Sequence, residues 1–254
     1  MKFAIELAGR TALVTGATSG IGNAIALAFA EHGAKVLMHG KTESDAHDAV
    51  NAMPATLLGR ATAIAADLSI QGEALSFASR AQSMAGSVDI VVLSAAIQSR
   101  RAFSDVDEAQ LREEIQVNFL SSYQILQRLV PSMAMRNWGR VLAIGSVQQV
   151  RPNPALSVYA ATKSAQLNLV INLAKTYARS GVTVNNLAPG LIDTHRNADI
   201  KLDTATYAQI LERIPMGRAG NAQDCAGAAL FLCSDLGQYI TGIDLLVDGG
   251  LHLP

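Results

Sequence analysis

A chain of 254 residues is long enough for one large domain or two small ones, and α/β folds of this size are commonly built as one. Half of the residues are apolar and only 16% are charged, which supports a sizeable core and excludes a disordered chain. The net charge is −1 and the basic residues are scattered, so the concentrated basic face that nucleic-acid binding needs is missing.

No apolar run approaches the roughly 18 residues of a membrane span, and Glu6 interrupts the N-terminal apolar stretch before it can act as a signal segment. Cys225 and Cys233 fall in one predicted helix, roughly 12 Å apart along its axis and beyond disulfide reach. They read as small buried hydrophobes in a reducing, cytoplasmic setting. No metal is assigned.

Short apolar runs bounded by Gly, Asp or Ser mark strands at Thr11–Thr15, Lys35–Met38, Thr62–Ala66, Asp89–Leu93, Arg140–Gly145, Thr183–Leu187 and Asp244–Val247. Helical patterns separate them at Asn23–His32, Ser44–Met53, Gln71–Met84, Asp107–Arg136, Tyr159–Arg179 and Ala222–Ser234. This alternation predicts an α/β fold: a single-domain, doubly wound (Rossmann) parallel sheet of about seven strands over residues 1–254, with helices on both faces. In such sheets ligands lie outside the carboxyl ends of the strands, so the residues just after each strand matter most.

After the first strand comes Thr15-Gly16-Ala17-Thr18-Ser19-Gly20-Ile21-Gly22, and then a helix. Gly16 permits a tight turn, and Gly20 and Gly22 let backbone approach a pyrophosphate held at the helix N-terminus. The context of strand, glycine loop and helix points to a dinucleotide. The place after the second strand where an NAD enzyme carries Asp or Glu is held by Gly40, with Lys41 next. That removes the carboxylate that repels a 2′-phosphate and offers it a cation, so NADP is favoured over NAD, with His39 and Thr42 as candidate helpers.

After the fifth strand stands Ser146, and thirteen residues later Tyr159-Ala160-Ala161-Thr162-Lys163. Residues four apart share a helix face, so Lys163 is placed to act on Tyr159. A phenol with a pKa of about 10 is a poor proton carrier at neutral pH, and a neighbouring ammonium favours its phenolate. The chemistry suggested is hydride transfer by a nicotinamide, coupled to proton transfer at an alcohol or carbonyl oxygen.

The TGxxxGxG spacing together with Ser146 and Tyr159-x-x-x-Lys163 resembles the short-chain dehydrogenase/reductase family, and the resemblance runs from about Arg10 to Gly250. It implies Tyr159 as general acid/base, Ser146 as hydrogen-bond partner of the reacting oxygen, and Lys163 as tuner of Tyr159 and holder of the ribose. Asn118 matches the asparagine that supports a water-linked proton relay to the lysine. Asp67-Leu68 matches a segment near the adenine, and Pro189-Gly190-Leu191-Ile192-Asp193-Thr194 one that contacts the carboxamide. The cofactor set implied is therefore Gly16, Thr18, Ser19, Gly20, Ile21, Gly22, Lys41, Asp67, Leu68, Ser94, Ala95, Tyr159, Lys163, Pro189, Gly190, Ile192 and Thr194.

One departure follows the fourth strand, where the family's Asn-Asn-Ala-Gly is replaced by Leu93-Ser94-Ala95-Ala96. The asparagine bonds that brace the central strands are lost or partly replaced by Ser94, and Ala96 removes glycine's freedom for positive φ.

A substrate loop is expected around 190–215. Gln98, Arg100, Arg101, Gln148, Gln149, Arg151, His195 and Arg196 give a polar set of candidate substrate contacts. They favour a small sugar, polyol or keto acid, with 3-oxoacyl thioester reduction as the alternative within the family and a non-catalytic dinucleotide sensor as the alternative outside it. Apolar residues on the long helix, including Leu120, Ile125, Leu126, Leu129 and Val130, with Leu167 and Ile171 on the Tyr159 helix, predict a homotetramer.

Overall fold

A computed structural model describes residues 5–197 and 204–254, with the Arg196 side chain left out. The strands are β1 (Thr11–Thr15), β2 (Lys35–Gly40), β3 (Ala61–Ala65), β4 (Ile90–Leu93), β5 (Gly139–Ile144), β6 (Val182–Pro189) and β7 (Asp244–Val247). They form one sheet in the order β3-β2-β1-β4-β5-β6-β7, and every neighbouring pair is parallel. All seven lie where the apolar runs place them.

The helices are α1 (Gly20–Glu31), α2 (Glu43–Asn51), α3 (Glu73–Ala85), α4 (Glu108–Ile115), α5 (Ser121–Met135), α6 (Ser157–Tyr177), α7 (Thr204–Glu212) and α8 (Ala222–Cys233). The long helix expected over Asp107–Arg136 is α4 and α5 joined by a π-helical turn, Gln116–Leu120. α1 begins at Gly20, three residues before the predicted start, and α7 was not anticipated.

Side chains alternate across the strands and divide the core into two layers. Ala12, Val14, Val36, Met38, Ile90, Val92, Leu142 and Ile144 pack under α1 and α8. Leu13, Leu37, Val91, Leu93, Val141 and Ala143 pack under α3, α5 and α6. Phe29 and Phe77 are fully buried, one in each layer, and each contributes about 1.5–3 kcal/mol by leaving water.

This core takes up most of the apolar residues of the long helix. Ile125, Leu126, Leu129 and Val130 are buried in the chain's own core, and of the five residues named on that helix only Leu120 is exposed. Leu167 is half-buried and Ile171 exposed. Both cysteines are free buried thiols, and burial pushes each up to about 12, well away from the reactive thiolate range. Among the described residues, no helix is long and apolar enough to cross a membrane.

The chain leaves β1 toward β2 on one side and β4 toward β5 on the other. The loops after β1 and β4 therefore diverge and open a crevice at the carboxyl edge of the sheet.

Candidate active site

The crevice is a cleft of about 700 Å³ running from the end of β2 to the end of β6. Gly16, Thr18, Ser19, Gly20, Ile21 and Gly22 form its floor near β1. Gly16 and Gly20 have φ of +62° and +57°, the left-handed region in which glycine carries no Cβ penalty. A Cβ on Gly16 would meet Ala95 Cα at 2.9 Å, and one on Gly22 would meet the Gly16 carbonyl at 2.2 Å. The N-cap Ser19 is extended and makes no side-chain cap bond. The first amides of α1 thus face the cleft uncapped, at the positive end of the helix dipole.

At the β2 end, His39 is buried in the cleft wall with both ring nitrogens engaged. Its Nδ1 accepts the Gly16 amide hydrogen at 3.0 Å, and its Nε2–H donates to the Ala66 carbonyl at 3.0 Å. Thr42 is also engaged, as the N-cap of α2 in a reciprocal pair with Asp45. Both ring nitrogens of His39 are thus taken up inside the protein, whereas the Thr42 hydroxyl only accepts in this pair and keeps its O–H to donate. Lys41 lines the cleft and lies 3.3 Å from Asp67. Burial alone would raise the Asp67 carboxyl, but hydrogen bonds from Ser69 and the Lys41 ammonium outweigh it and hold the group below its usual range.

The segment after β4 is braced by a residue not foreseen for the task. The Thr15 hydroxyl accepts the amides of Ser94 and Ala95, both at 3.0 Å, and donates to the Val92 carbonyl at 3.3 Å. The brace is the Thr15 hydroxyl and not the Ser94 side chain. Among the described residues Asn137 is the only non-glycine with positive φ, so Ala96 carries no strain of that kind. Asn118 lies behind the cleft wall, fully buried. Its amide clamps Ile97 through both backbone groups, at 2.8 and 2.9 Å, and also donates to Thr162 Oγ1 at 3.2 Å.

Ser146, Tyr159 and Lys163 meet in the cleft. Ser146 caps a 3-10 turn, its Oγ accepting the Gln148 amide at 3.2 Å, so its own O–H remains to donate. A Cβ on Gly145 would lie close to Gln149 Oε1, so any larger residue there would displace the Gln149 side chain. Gln149 Oε1 accepts the Ser146 amide at 2.7 Å, so Gln149 braces this turn instead of reaching substrate as predicted. The fully buried Lys163 ammonium donates to the Ile144 carbonyl at 2.7 Å, which ties it to β5 two residues before Ser146. It sits 5.7 Å from the centre of the Tyr159 ring.

Pro189, Gly190, Ile192 and Thr194 close the far wall beside Gly20, whose Cβ would lie 3.4 Å from Thr194 Cγ2. Of the expected substrate contacts, Gln98, Arg100, Gln148, Arg151 and His195 line the cleft, whereas Arg101 and Gln149 do not. The substrate loop is described through residue 197 and again from 204, and the Arg196 side chain lies outside the described residues. Ile210 at the end of α7 and Arg213 just beyond it also line the cleft. Sequence reasoning missed both; the spacing of Tyr207, Ile210 and Leu211 is the signal for that helix.

A backbone cradle that a Cβ would fill, uncapped helix amides and a cleft this long suit a nicotinamide dinucleotide. A family model described as enoyl-(acyl carrier protein) reductase matches residues 16–252. An L-rhamnose 1-dehydrogenase (NAD(P)(+)) from Sphingomonas sp. (strain SKA58) is 32% identical, over 97% of this chain and 98% of that protein. The structure of a 3-oxoacyl (acyl-carrier-protein) reductase from Agrobacterium tumefaciens C58 with NADP bound is similar at TM-score 0.90 and 38% identity. The match covers 96% of this chain and 95% of that one. A gluconate 5-dehydrogenase from Burkholderia cenocepacia J2315 in complex with NADP and tartrate is similar at TM-score 0.91 and 31% identity, covering 97% of this chain and 96% of that one. Matched by the family model and by relatives over nearly their whole lengths, the chain belongs to the short-chain dehydrogenase/reductase family of NAD(P)-dependent oxidoreductases.

Proposed function

We propose that the protein is an NADP(H)-linked enzyme interconverting an alcohol and a carbonyl in a small polar substrate, a sugar, polyol or keto acid. The observation that carries this reading is the meeting of Ser146, Tyr159 and Lys163 in the cleft that also contains the uncapped start of α1. A bound nicotinamide supplies or takes the hydride.

Gly16, Thr18, Ser19, Gly20, Ile21 and Gly22 hold the pyrophosphate through backbone amides, and Lys41 faces the 2′-phosphate. Asp67 and Leu68 flank the adenine. Ser94 and Ala95 approach the ribose, and Pro189, Gly190, Ile192 and Thr194 hold the carboxamide. Ser146 donates its O–H to the reacting oxygen. Tyr159 gives that oxygen a proton in reduction and takes it in oxidation. Lys163 favours the phenolate and holds the ribose hydroxyls, and Asn118 keeps the wall behind them in place. Gln98, Arg100, Gln148, Arg151 and His195 give the mouth the polar surface a hydroxylated substrate requires.

The test is the change in nicotinamide absorbance with NADP and NAD against a panel of sugars, polyols, keto acids and 3-oxoacyl thioesters. Turnover of a hydroxylated substrate with NADP is expected. Turnover confined to the thioesters gives the second reading, 3-oxoacyl thioester reduction, which the 38% identity to the A. tumefaciens reductase favours. We further infer one domain, a cytoplasmic setting in keeping with the two free thiols, and a homotetramer whose interfaces include the exposed Leu120 and Ile171.

A further inference from the structure

Lys163 is fully buried, and two of its bonds run to fixed acceptors: the Ile144 carbonyl at 2.7 Å and Gln166 Oε1 at 3.2 Å. Gln166 lies three residues further along α6, on the same face as Tyr159 and Lys163. Its Nε2–H donates to Ser122 Oγ at 3.0 Å, and Ser122 Oγ donates to the Asn118 carbonyl at 3.2 Å. Gln166, Ser122 and Asn118 are each at most 2% exposed.

The direction of this chain is set by chemistry. An ammonium only donates, so the oxygen of the Gln166 amide faces Lys163 and its nitrogen faces Ser122. Ser122 accepts that N–H and passes its own hydrogen to Asn118, in the first turn after the π-helical segment. The Asn118 side chain is spent on Ile97 and Thr162, so its link to Lys163 runs through its carbonyl, Ser122 and Gln166.

We propose that Gln166, held by Ser122, is a positioning residue that aims the Lys163 ammonium at Tyr159 and the cofactor ribose. This rests on the roles given above to Tyr159 and Lys163. An ammonium has three N–H bonds in tetrahedral array; anchoring two on Ile144 and Gln166 fixes the direction of the third. A carboxamide is a poor proton carrier, so the chain orients and does not conduct. An apolar side chain at position 166 would remove an acceptor from a buried cation and let it swing.

The variants that test this are Gln166→Met, close in shape but without the acceptor, and Ser122→Ala. Folding is checked by thermal melting and by the quenching of protein fluorescence by NADPH. The first readout needs no substrate: the ionisation of Tyr159, followed as tyrosinate absorbance in difference against Tyr159→Phe. Gln166→Met is expected to move that ionisation to higher pH by about half a unit or more, because the phenolate loses a well-aimed cation. Ser122→Ala moves it less in the same direction, and adds nothing in the Gln166→Met background, since the chain is already broken there.

Where a substrate is turned over, kcat of Gln166→Met falls about tenfold with the substrate KM within about threefold. Tyr159 ionising at the wild-type pH in folded Gln166→Met, or a Ser122→Ala effect undiminished in that background, overturns the proposal. If Gln166→Met does not fold, Ser122→Ala carries the test alone, and an unmoved Tyr159 overturns it. A shifted Tyr159 in a protein that turns nothing over leaves the positioning role standing and removes the function proposed above.

Discussion

His39 holds the glycine loop by its first amide: Nδ1 accepts the Gly16 N–H at 3.0 Å while the His39 carbonyl accepts the Ala17 N–H at 2.9 Å. The opposite ring nitrogen donates to Ala66, and the ring sits edge-on to Phe77 with centroids 4.8 Å apart. The imidazole must be neutral, because a protonated Nδ1 cannot accept.

Burial, with a smaller push from Arg80, holds His39 below its ordinary value of 6.5 against the pull of its bond to Ala66. The folded-state pKa is depressed, so the unfolded chain takes up the proton first. The contribution of His39 is whole above about 6.5 and is lost as the pH falls below it, at up to one proton per molecule. His39→Gln keeps an acceptor and a donor but does not titrate. Melting measured between pH 7 and 5 should show a shallower decline in the variant than in the wild type. Equal slopes would clear His39 of the pH dependence.

Lys41 is the group on which the proposed preference for NADP rests. Its ion pair with Asp67 is exposed and worth little to stability, so Lys41→Ala should melt close to the wild type. The KM for NADP should rise about tenfold, near the lower end of what a hydrogen bond to a charged group is worth, and that for NAD by much less. Gly40→Asp is the substitution that sequence logic would choose, but a Cβ there would lie 2.6 Å from the Ala46 amide nitrogen at the start of α2. Lys41→Asp puts a carboxylate in the same neighbourhood without that clash. An unchanged NADP-to-NAD ratio in both Lys41 variants would return the cofactor assignment to NAD.

The strands were legible because parallel strands covered on both faces must be continuously apolar, and a short apolar run between Gly and Asp has few other meanings. The glycine loop and Tyr159-x-x-x-Lys163 were legible because their spacing is itself the geometry. What polar residues do inside the wall was not. Gln149 reads in sequence as a substrate contact, His39 as a cofactor helper and Gln166 as nothing in particular, and only the packed structure shows them turned onto Ser146, Gly16 and Lys163. The π turn at Gln116–Leu120 keeps a helical apolar pattern, so periodicity runs through it unbroken. The brace on Ser94 and Ala95 comes from Thr15, a neighbour across the sheet and 79 residues away in sequence from Ser94. No local pattern encodes such a contact.

Tyr159→Phe removes the transferable proton and keeps the ring. Lys163 retains its bonds to Ile144 and Gln166 in that variant, so the loss is confined to the phenol. Turnover should fall by about 10²- to 10⁴-fold while NADPH still quenches protein fluorescence at wild-type concentrations. Retention of more than about a tenth of the activity would take Tyr159 out of the proton-transfer role.

The apolar faces of α5 turn out to serve the chain's own core, yet Leu111, Leu120, Tyr123 and Ile171 remain 36–45% exposed. They sit on α4, the π turn, α5 and α6, elements that pack against one another. Large apolar side chains gathered on one set of helices mark a surface that a second copy can cover, and closed two-fold symmetry then leads to dimers or dimers of dimers. Light scattering at micromolar concentration should give a mass near four times 26.7 kDa. Leu120→Asp with Tyr123→Asp places two charges on that surface, at positions where neither side chain supports the core, and should shift the protein to smaller species without lowering the content of secondary structure. A wild-type protein that runs as a monomer and stays active on dilution would sink the tetramer. A tetramer indifferent to both charges would move its interface to another face of the fold.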